Sequence, residues 1–199
     1  MTSITKFFQS IRFRITLVFV LLMIIALELL GAFFVRQMER QNLRTFQQQI
    51  TLPKYVTDPI NTALRNSNSD EGNHEIQDVL SGLNNTNIEE VQVIDKTGTI
   101  RGTTSVSGQQ TISQKTTDIN AQKALAGDQS YVATRTINEN GERKEIMTTP
   151  LGVTTGRLKD VSGVIVVKAS LLPVYKNINS VMRLFIIAGL IALVASVAL

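Results

Sequence analysis

Polar and apolar positions divide the chain into an apolar run, a mixed middle and a second apolar run. Ile15 to Val35 is 21 residues long, and fifteen of these are Leu, Ile, Phe or Val. A helix rises about 1.5 Å per residue and a bilayer core is roughly 30 Å thick, so the run is long enough to cross one. Its one charge, Glu28, costs about 3 kcal/mol at a helix centre, whereas each large aliphatic or Phe returns roughly 0.3–0.6 kcal/mol. Insertion wins. A secretory signal has an apolar stretch of only about 7–15 residues and a small-residue cleavage site. Here Phe33, Phe34, Val35 and Arg36 follow instead, so an uncleaved anchor is expected. The second run, Leu184 to Leu199, has 16 residues and stops with the sequence. The pattern therefore predicts a tail over 1–14, a membrane helix over 15–35, a polar domain over 36–183 and a second membrane helix over 184–199, with an effector expected beyond Leu199.

The middle segment changes period along its length. Met38, Leu43, Phe46 and Ile50 recur at helical spacing, so the anchor helix should continue into water until Pro53 interrupts it. Asp58 followed by Pro59 predicts a helix start, because the carboxylate can cap free N–H groups and Pro at the first helical position needs no donor. Residues Asn66 to Asn73 have loop composition, and Ile76, Val79, Leu80 and Leu83 then mark one helical face. Strands should follow over Ile88–Asp95 and Thr99–Ser105, joined by a turn at Gly98, with a short helix capped by Asp118 and stopped at Gly127. Asn140-Gly141 predicts a tight hairpin between Ser130–Asn138 and Glu142–Leu151, and the unbroken apolar Val164–Val167 predicts a strand buried on both faces. The fold class expected is α+β: helices first, then a meander of about five antiparallel strands with one helix inserted.

Charge and composition narrow the function. Residues 36–183 hold 17 Lys and Arg against 15 Asp and Glu, interspersed, which leaves no basic footprint for nucleic acid. One His and no Cys leave no His-based metal cluster, thiolate zinc site or thiol nucleophile, and the isolated glycines form no phosphate-binding loop. No cofactor or metal is implied, and the chain reads as non-catalytic. Basic residues do not settle orientation. Lys6, Arg12 and Arg14 precede the first run, and Arg36, Arg40 and Arg44 follow it. Because long segments translocate largely regardless of charge, the short basic tail is expected to stay inside, with residues 36–183 outside.

The stretches VQVIDKTGTIRGTTS, QKTTDINAQKALAGDQSYV, ENGERKEIMTTPL and SGVIVVKASLLPVY together resemble an extracytoplasmic PAS-like, Cache-type sensor domain. The amino end, FFQSIRFRITLVFVLLMIIALELLGAFFVRQMER, resembles that of the WalK/YycG sensor histidine kinases of Gram-positive bacteria. The resemblance implies a PAS-like domain between two membrane helices, serving a cell-wall-responsive two-component receptor with a homodimeric kinase. The HAMP linker, cytoplasmic PAS domain, phosphoacceptor helix and ATP-binding domain of such a kinase would follow Leu199. His74-Glu75-Ile76 mimics the start of a phosphoacceptor box, but Gln77-Asp78-Val79 continues it wrongly, so His74 is expected to be an ordinary solvated residue.

In PAS-like domains ligands lie between a sheet face and the segments above it, here Thr103 to Thr117. On that basis Arg101, Lys115, Tyr131 and Arg135 are candidates to meet an anionic or carbohydrate ligand, or else they are surface charges on exposed strands. An unknown extracellular ligand and a membrane or cell-wall protein remain alternative partners, as do a chemoreceptor, a cyclic-nucleotide enzyme and a freestanding binding protein for the module's context. Glu28 with Gly31 one turn away offers a helix–helix contact in the bilayer, or a tolerated acid that thins it locally. After Ser170 as cap and Pro173 in the first turn, Val174, Ile178, Val181 and Phe185 run at helical intervals into the second membrane run, which suits rigid transmission.

Overall fold

The computed structural model describes residues 11–66, 70–83, 86–127, 132–155 and 158–198. The chain forms two units, Met1–Arg44 with Val174–Leu199, and Thr45–Pro173. In order, its elements are α1 (Ile11–Ile50), α2 (Lys54–Asn66), α3 (Asp70–Ser81), β1 (Ile88–Asp95), β2 (Ile100–Thr103), a 3-10 turn (Ser107–Thr111), α4 (Ile119–Leu125), β3 (Ala133–Glu139), β4 (Glu142–Thr155), β5 (Leu158–Ser170) and α5 (Leu172–Ala198). The fold is α+β, with long apolar helices at both ends and a five-stranded antiparallel sheet between them.

Strand order is β2-β1-β5-β4-β3, so the sheet is no simple meander. Having Val164, Ile165, Val166 and Val167 all buried requires cover on both faces and paired neighbours on both edges, and β1 therefore leaves β2 on one side and takes β5 on the other. Across one face Met147, Val167 and Val91 are in register, and this face receives the end of α1 together with α2 and α3. Phe46, Ile50, Ile60, Ile76 and Leu80 are buried there, each contributing roughly 1.5–3 kcal/mol by leaving water. Gln47 Nε2 donates to buried Glu145 at 2.9 Å, and the Thr136 hydroxyl donates to the other Glu145 oxygen at 3.0 Å. On the opposite face Ile94, Ile100, Ile146, Val164 and Val166 form a second cluster with Ala121 and Ala124 of α4.

Local signals hold where the chemistry is local. The Asp118 carboxylate accepts the Ala121 N–H at 2.8 Å and caps α4. Asn140 and Gly141 both have positive φ, 53° and 80°, the backbone that a two-residue primed hairpin turn needs. The Ser170 hydroxyl accepts the Leu172 N–H at 3.2 Å at the start of α5, which then runs unbroken to Ala198.

Three expectations are corrected. Helix α2 begins at Lys54 and carries Pro59 inside it, because Val56 and Ile60, buried 3% and 0% exposed, extend the apolar stripe a full turn ahead of Asp58. Tyr55, whose carbonyl loses its donor to the proline ring, is 80% exposed. The loop expected over Asn66–Asn73 is helical from Asp70 onward, continuous with the buried Ile76–Leu80 face. Finally, β2 ends at Thr103, where the Thr104 hydroxyl accepts the Val91 N–H at 2.8 Å in place of a ladder bond. Ser130 and Tyr131 lie outside the described residues.

The unit formed by Met1–Arg44 and Val174–Leu199 has two helices long and apolar enough to cross a membrane. Within it the Phe34 and Phe185 rings sit 4.9 Å apart in a tilted pair, and the Tyr175 hydroxyl donates to Glu39 at 3.3 Å. Glu28 is exposed in this unit, and a Cβ added at Gly31 would meet nothing within 4 Å.

Two stability predictions follow from this packing. A Cβ at Gly163 would fall 2.4 Å from the Ile94 carbonyl oxygen and 2.7 Å from Leu64 Cδ1, so Gly163→Ala must push β5 off β1. A loss of about 1–3 kcal/mol is expected, read as a lowered thermal midpoint of the membrane-reconstituted chain. Asp95 is buried, which by itself raises its carboxyl, but bonds from the Thr97 hydroxyl, the Thr99 N–H, Arg101 and the Thr97 N–H together hold it below its usual value. A depressed acid stabilises above its unfolded value and loses that contribution as pH falls through the folded one. Stability should therefore decline below about pH 4, and Asp95→Asn should cost about 1–3 kcal/mol at neutral pH while flattening the acid limb.

Candidate functional site

Alternation along β5 turns Val164, Val166 and Lys168 toward the α4 side of the sheet, while Ile165 and Val167 face the helices. Register then aligns four residues on that side: Arg135 lies opposite Ile146, Ile146 opposite Lys168, and Lys168 opposite Glu90. Above this row pass the 3-10 turn and the segment that leads into α4. Between floor and roof lies a cavity of about 320 Å³, walled by Glu90, Gln92, Ile146 and Lys168 below and by Gln114, Lys115 and Asp118 above, with Arg135 at its side.

Each polar wall has an identifiable anchor. Glu90 Oε1 accepts the Gln92 side-chain amide at 2.9 Å and the Thr103 hydroxyl at 3.1 Å. The roof presses on it so closely that a Cβ at Gly108 would fall 2.5 Å from that oxygen, which is why the turn carries glycine there. Asp118 divides its oxygens, one capping α4 and the other accepting Arg135 Nη2 in an ion pair. The Arg135 Nε–H is shut off from solvent and finds no acceptor among the described residues. Lys115 donates to the Thr97 carbonyl at the β1–β2 turn.

A charge network continues from the cavity along the sheet. Lys168 meets Glu139 at 2.5 Å, Lys144 meets the same carboxylate at 3.1 Å, and Lys144 also holds Glu89 at 2.7 Å. Bonds from Lys168 and then Lys144 keep the Glu139 carboxyl below its usual value, and Glu89 first, then Glu139, raises the Lys144 ammonium against the opposing effect of burial. Glu89 and Glu90, adjacent in sequence, thus serve opposite ends of one polar system.

The four candidates separate in space. Lys115 and Arg135 share the cavity wall. Arg101 is drawn away, its Nε donating to Asp95 at 2.7 Å inside the β1–β2 hairpin, and Tyr131 lies outside the described residues. Lys168 was missed, although its parity with Val164 and Val166 was a usable signal. His74 is exposed on α3. Among the described residues no group of three or more His, Cys, Asp or Glu is placed to hold a metal ion. A wider hollow of about 690 Å³ beside Tyr55, Val79 and Leu83 has Asp78 as its one charged wall residue, so the convergent charges belong to the first cavity. That cavity offers hydrogen bonds and charge of both signs.

Comparison with known proteins accords with this geometry. Residues 75–169 match the family described as the WalK sensor protein kinase Cache domain. Sensor protein kinase WalK of Staphylococcus aureus strains JH9 and Newman is 30% identical over 198 residues, covering 98% of this chain and 32% of each relative. The chain thus spans about a third of the length of these curated relatives. An extracellular ligand binding receptor from Desulfohalobium retbaense DSM5692 superposes with a TM-score of 0.41 at 13% identity, over 68% of this chain and 24% of that one. With its helix-flanked five-stranded sheet, the chain carries a Cache sensor domain of the WalK type.

Proposed function

We propose that this chain is the membrane-bound, extracytoplasmic sensing portion of a two-component sensor histidine kinase, with kinase activity residing in domains that follow it in the parent protein. The supporting observation is that similarity to the WalK kinases extends over 98% of the chain, through both apolar helices as well as the sensor domain. Residues 15–35 and 184–199 then cross the bilayer, the tail 1–14 is cytoplasmic, and residues 36–183 face outward. The cavity beneath the 3-10 turn is where a stimulus acts, with Lys115 and Arg135 among its contacts. The receptor works as a homodimer, to which Glu28 and the open face at Gly31 offer a contact between first membrane helices. The stimulus must bind two conformations with different affinity, and α5 carries that difference inward as a rigid rod.

Topology and transmission can be tested separately. Val106 is 85% exposed, so Val106→Cys should react with a membrane-impermeant maleimide on intact cells. Labelling only after lysis would reverse the assignment. Asn179 is an exposed interior residue of α5, and Asn179→Pro removes a backbone bond at a cost of about 3 kcal/mol. In a full-length receptor it should abolish stimulus-dependent autophosphorylation while surface expression persists, and Asn179→Ala should leave both unchanged. An Asn179→Pro receptor that answers its stimulus normally would remove α5 as the transmitting element.

A further inference from the structure

The apolar unit carries a set of cations that the sensing role leaves unused. Helices α1 and α5 run antiparallel within it, since Phe34 meets Phe185 while Glu39, later in α1, meets Tyr175, earlier in α5. The ring pair sets their relative height. Arg36 follows Phe34 by two residues and Arg183 precedes Phe185 by two, so at about 1.5 Å per residue both stand roughly 3 Å beyond the rings, where each apolar run gives way to polar sequence. Arg40 lies about 6 Å further along α1, and Arg44 and Lys176 lie about 12 Å and 10 Å further along their own helices.

Two residues turn a helix through about 200°, so Arg36 and Arg183 each lie on the side opposite the ring that faces the other helix. Arg40 and Arg44 extend the Arg36 face at four-residue intervals, and Lys176 shares the Arg183 face at seven. All five are exposed, and among the described residues none enters an ion pair. Over 36–44 and 174–183 the single acid is Glu39, which already accepts the Tyr175 hydroxyl.

Height and sign together select the partner. A headgroup layer extends about 5–8 Å beyond each side of the hydrocarbon core, which takes in Arg36, Arg183 and Arg40, while Arg44 and Lys176 stand within about 10 Å of it, one Debye length at about 0.1 M salt. Aliphatic stems can lie along the apolar helix while the charged ends reach phosphate. Guanidinium forks meet phosphate oxygens two at a time, and each cation at an anionic surface strengthens binding about fivefold. An acidic protein segment would have to wrap around two helices to meet cations on their outward sides. A lipid annulus already does.

We propose that Arg36, Arg40 and Arg183, reinforced by Arg44 and Lys176, form a collar that selects anionic phospholipid headgroups around the two helices, in the leaflet that Arg36 and Arg183 share. The collar rests on the reading of the two apolar runs as membrane spans and is independent of which side of the membrane the sensor domain occupies. It also gives a use to the cations that leave the charge count around the first run tied.

The whole chain, reconstituted into phosphatidylcholine bilayers, should be probed by electron spin resonance with phosphatidylglycerol or phosphatidylcholine spin-labelled near the end of an acyl chain. Both labels should show a motionally restricted component, and phosphatidylglycerol should associate about threefold or more strongly than phosphatidylcholine in about 0.1 M sodium chloride. That preference should fall to near unity in about 1 M sodium chloride, where the Debye length is about 3 Å. The triple variant Arg36→Gln, Arg40→Gln, Arg183→Gln should lose it, Arg36→Lys, Arg40→Lys, Arg183→Lys should keep it, and Lys123→Gln, exposed on α4, should match the parent. The salt series on the parent chain carries the test if the Gln variant does not reconstitute. Equal restriction of the two lipids, a preference that survives high salt, or an undiminished preference in the reconstituted Gln variant would overturn the collar. So would its loss to millimolar inorganic phosphate at constant ionic strength, the mark of a discrete phosphate site rather than a headgroup surface. No restricted component with either lipid would instead remove the membrane spans on which the collar rests.

Discussion

Burial of β5 on both faces is the constraint from which the rest of the architecture follows. A strand whose Val164, Ile165, Val166 and Val167 are all buried cannot be an edge, and it cannot leave either side of the sheet to water. The chain meets this demand by placing β1 and β4 beside it, the α1–α3 layer over one face and α4 over the other. Gly163 marks how tightly the layers close, since neither Ile94 nor Leu64 leaves room for a methyl group. The same strand ends in Lys168 and Ser170, so the element that organises the core also reaches the cavity and the start of α5.

Polar residues have been distributed around that core with a clear division of work. Asp95, Thr97, Thr99 and Arg101 form a closed network within one hairpin, in which the carboxylate takes four hydrogen bonds and satisfies its own burial. Asp118, Arg135, Glu90 and Lys168 form a more open one. Here Arg135 retains a donor without an acceptor among the described residues, and Lys168 shares its partner with Lys144. A closed network rigidifies, whereas an open one can exchange partners. This difference supports assigning sensing to the cavity and structure to the hairpin, although Arg101 and Arg135 look alike as isolated letters in strands.

Much of this was legible in the residues themselves, for reasons that are local. Apolar periods of two and about 3.6 identify strands and helices because they report which side of an element is buried. Asp118, Gly98, Asn140-Gly141 and Ser170 act within a few residues of themselves through capping bonds and positive φ, so their roles hold. The two long apolar helices were equally plain, because length and apolarity are properties of a segment alone. Even the fate of Arg101 was within reach, since Asp95, Thr97, Thr99 and Arg101 alternate across one tight turn.

Other features depend on groups distant in the chain, and only the tertiary structure decided them. The order β2-β1-β5-β4-β3 arises because Ile88–Asp95 pairs with a strand some seventy residues later, a choice governed by joint burial rather than by any turn. Pro59 lies inside α2 because burial of Val56 and Ile60 outweighs the helix-start signal of Asp58-Pro59. The cavity row joins β3, β4, β5 and β1, and each residue in it is ambiguous until register sets its neighbours. A sequence specifies what each segment can bury and how it can turn, while the meeting of Arg135, Lys168 and Glu90 is fixed by which strands the shared core brings side by side.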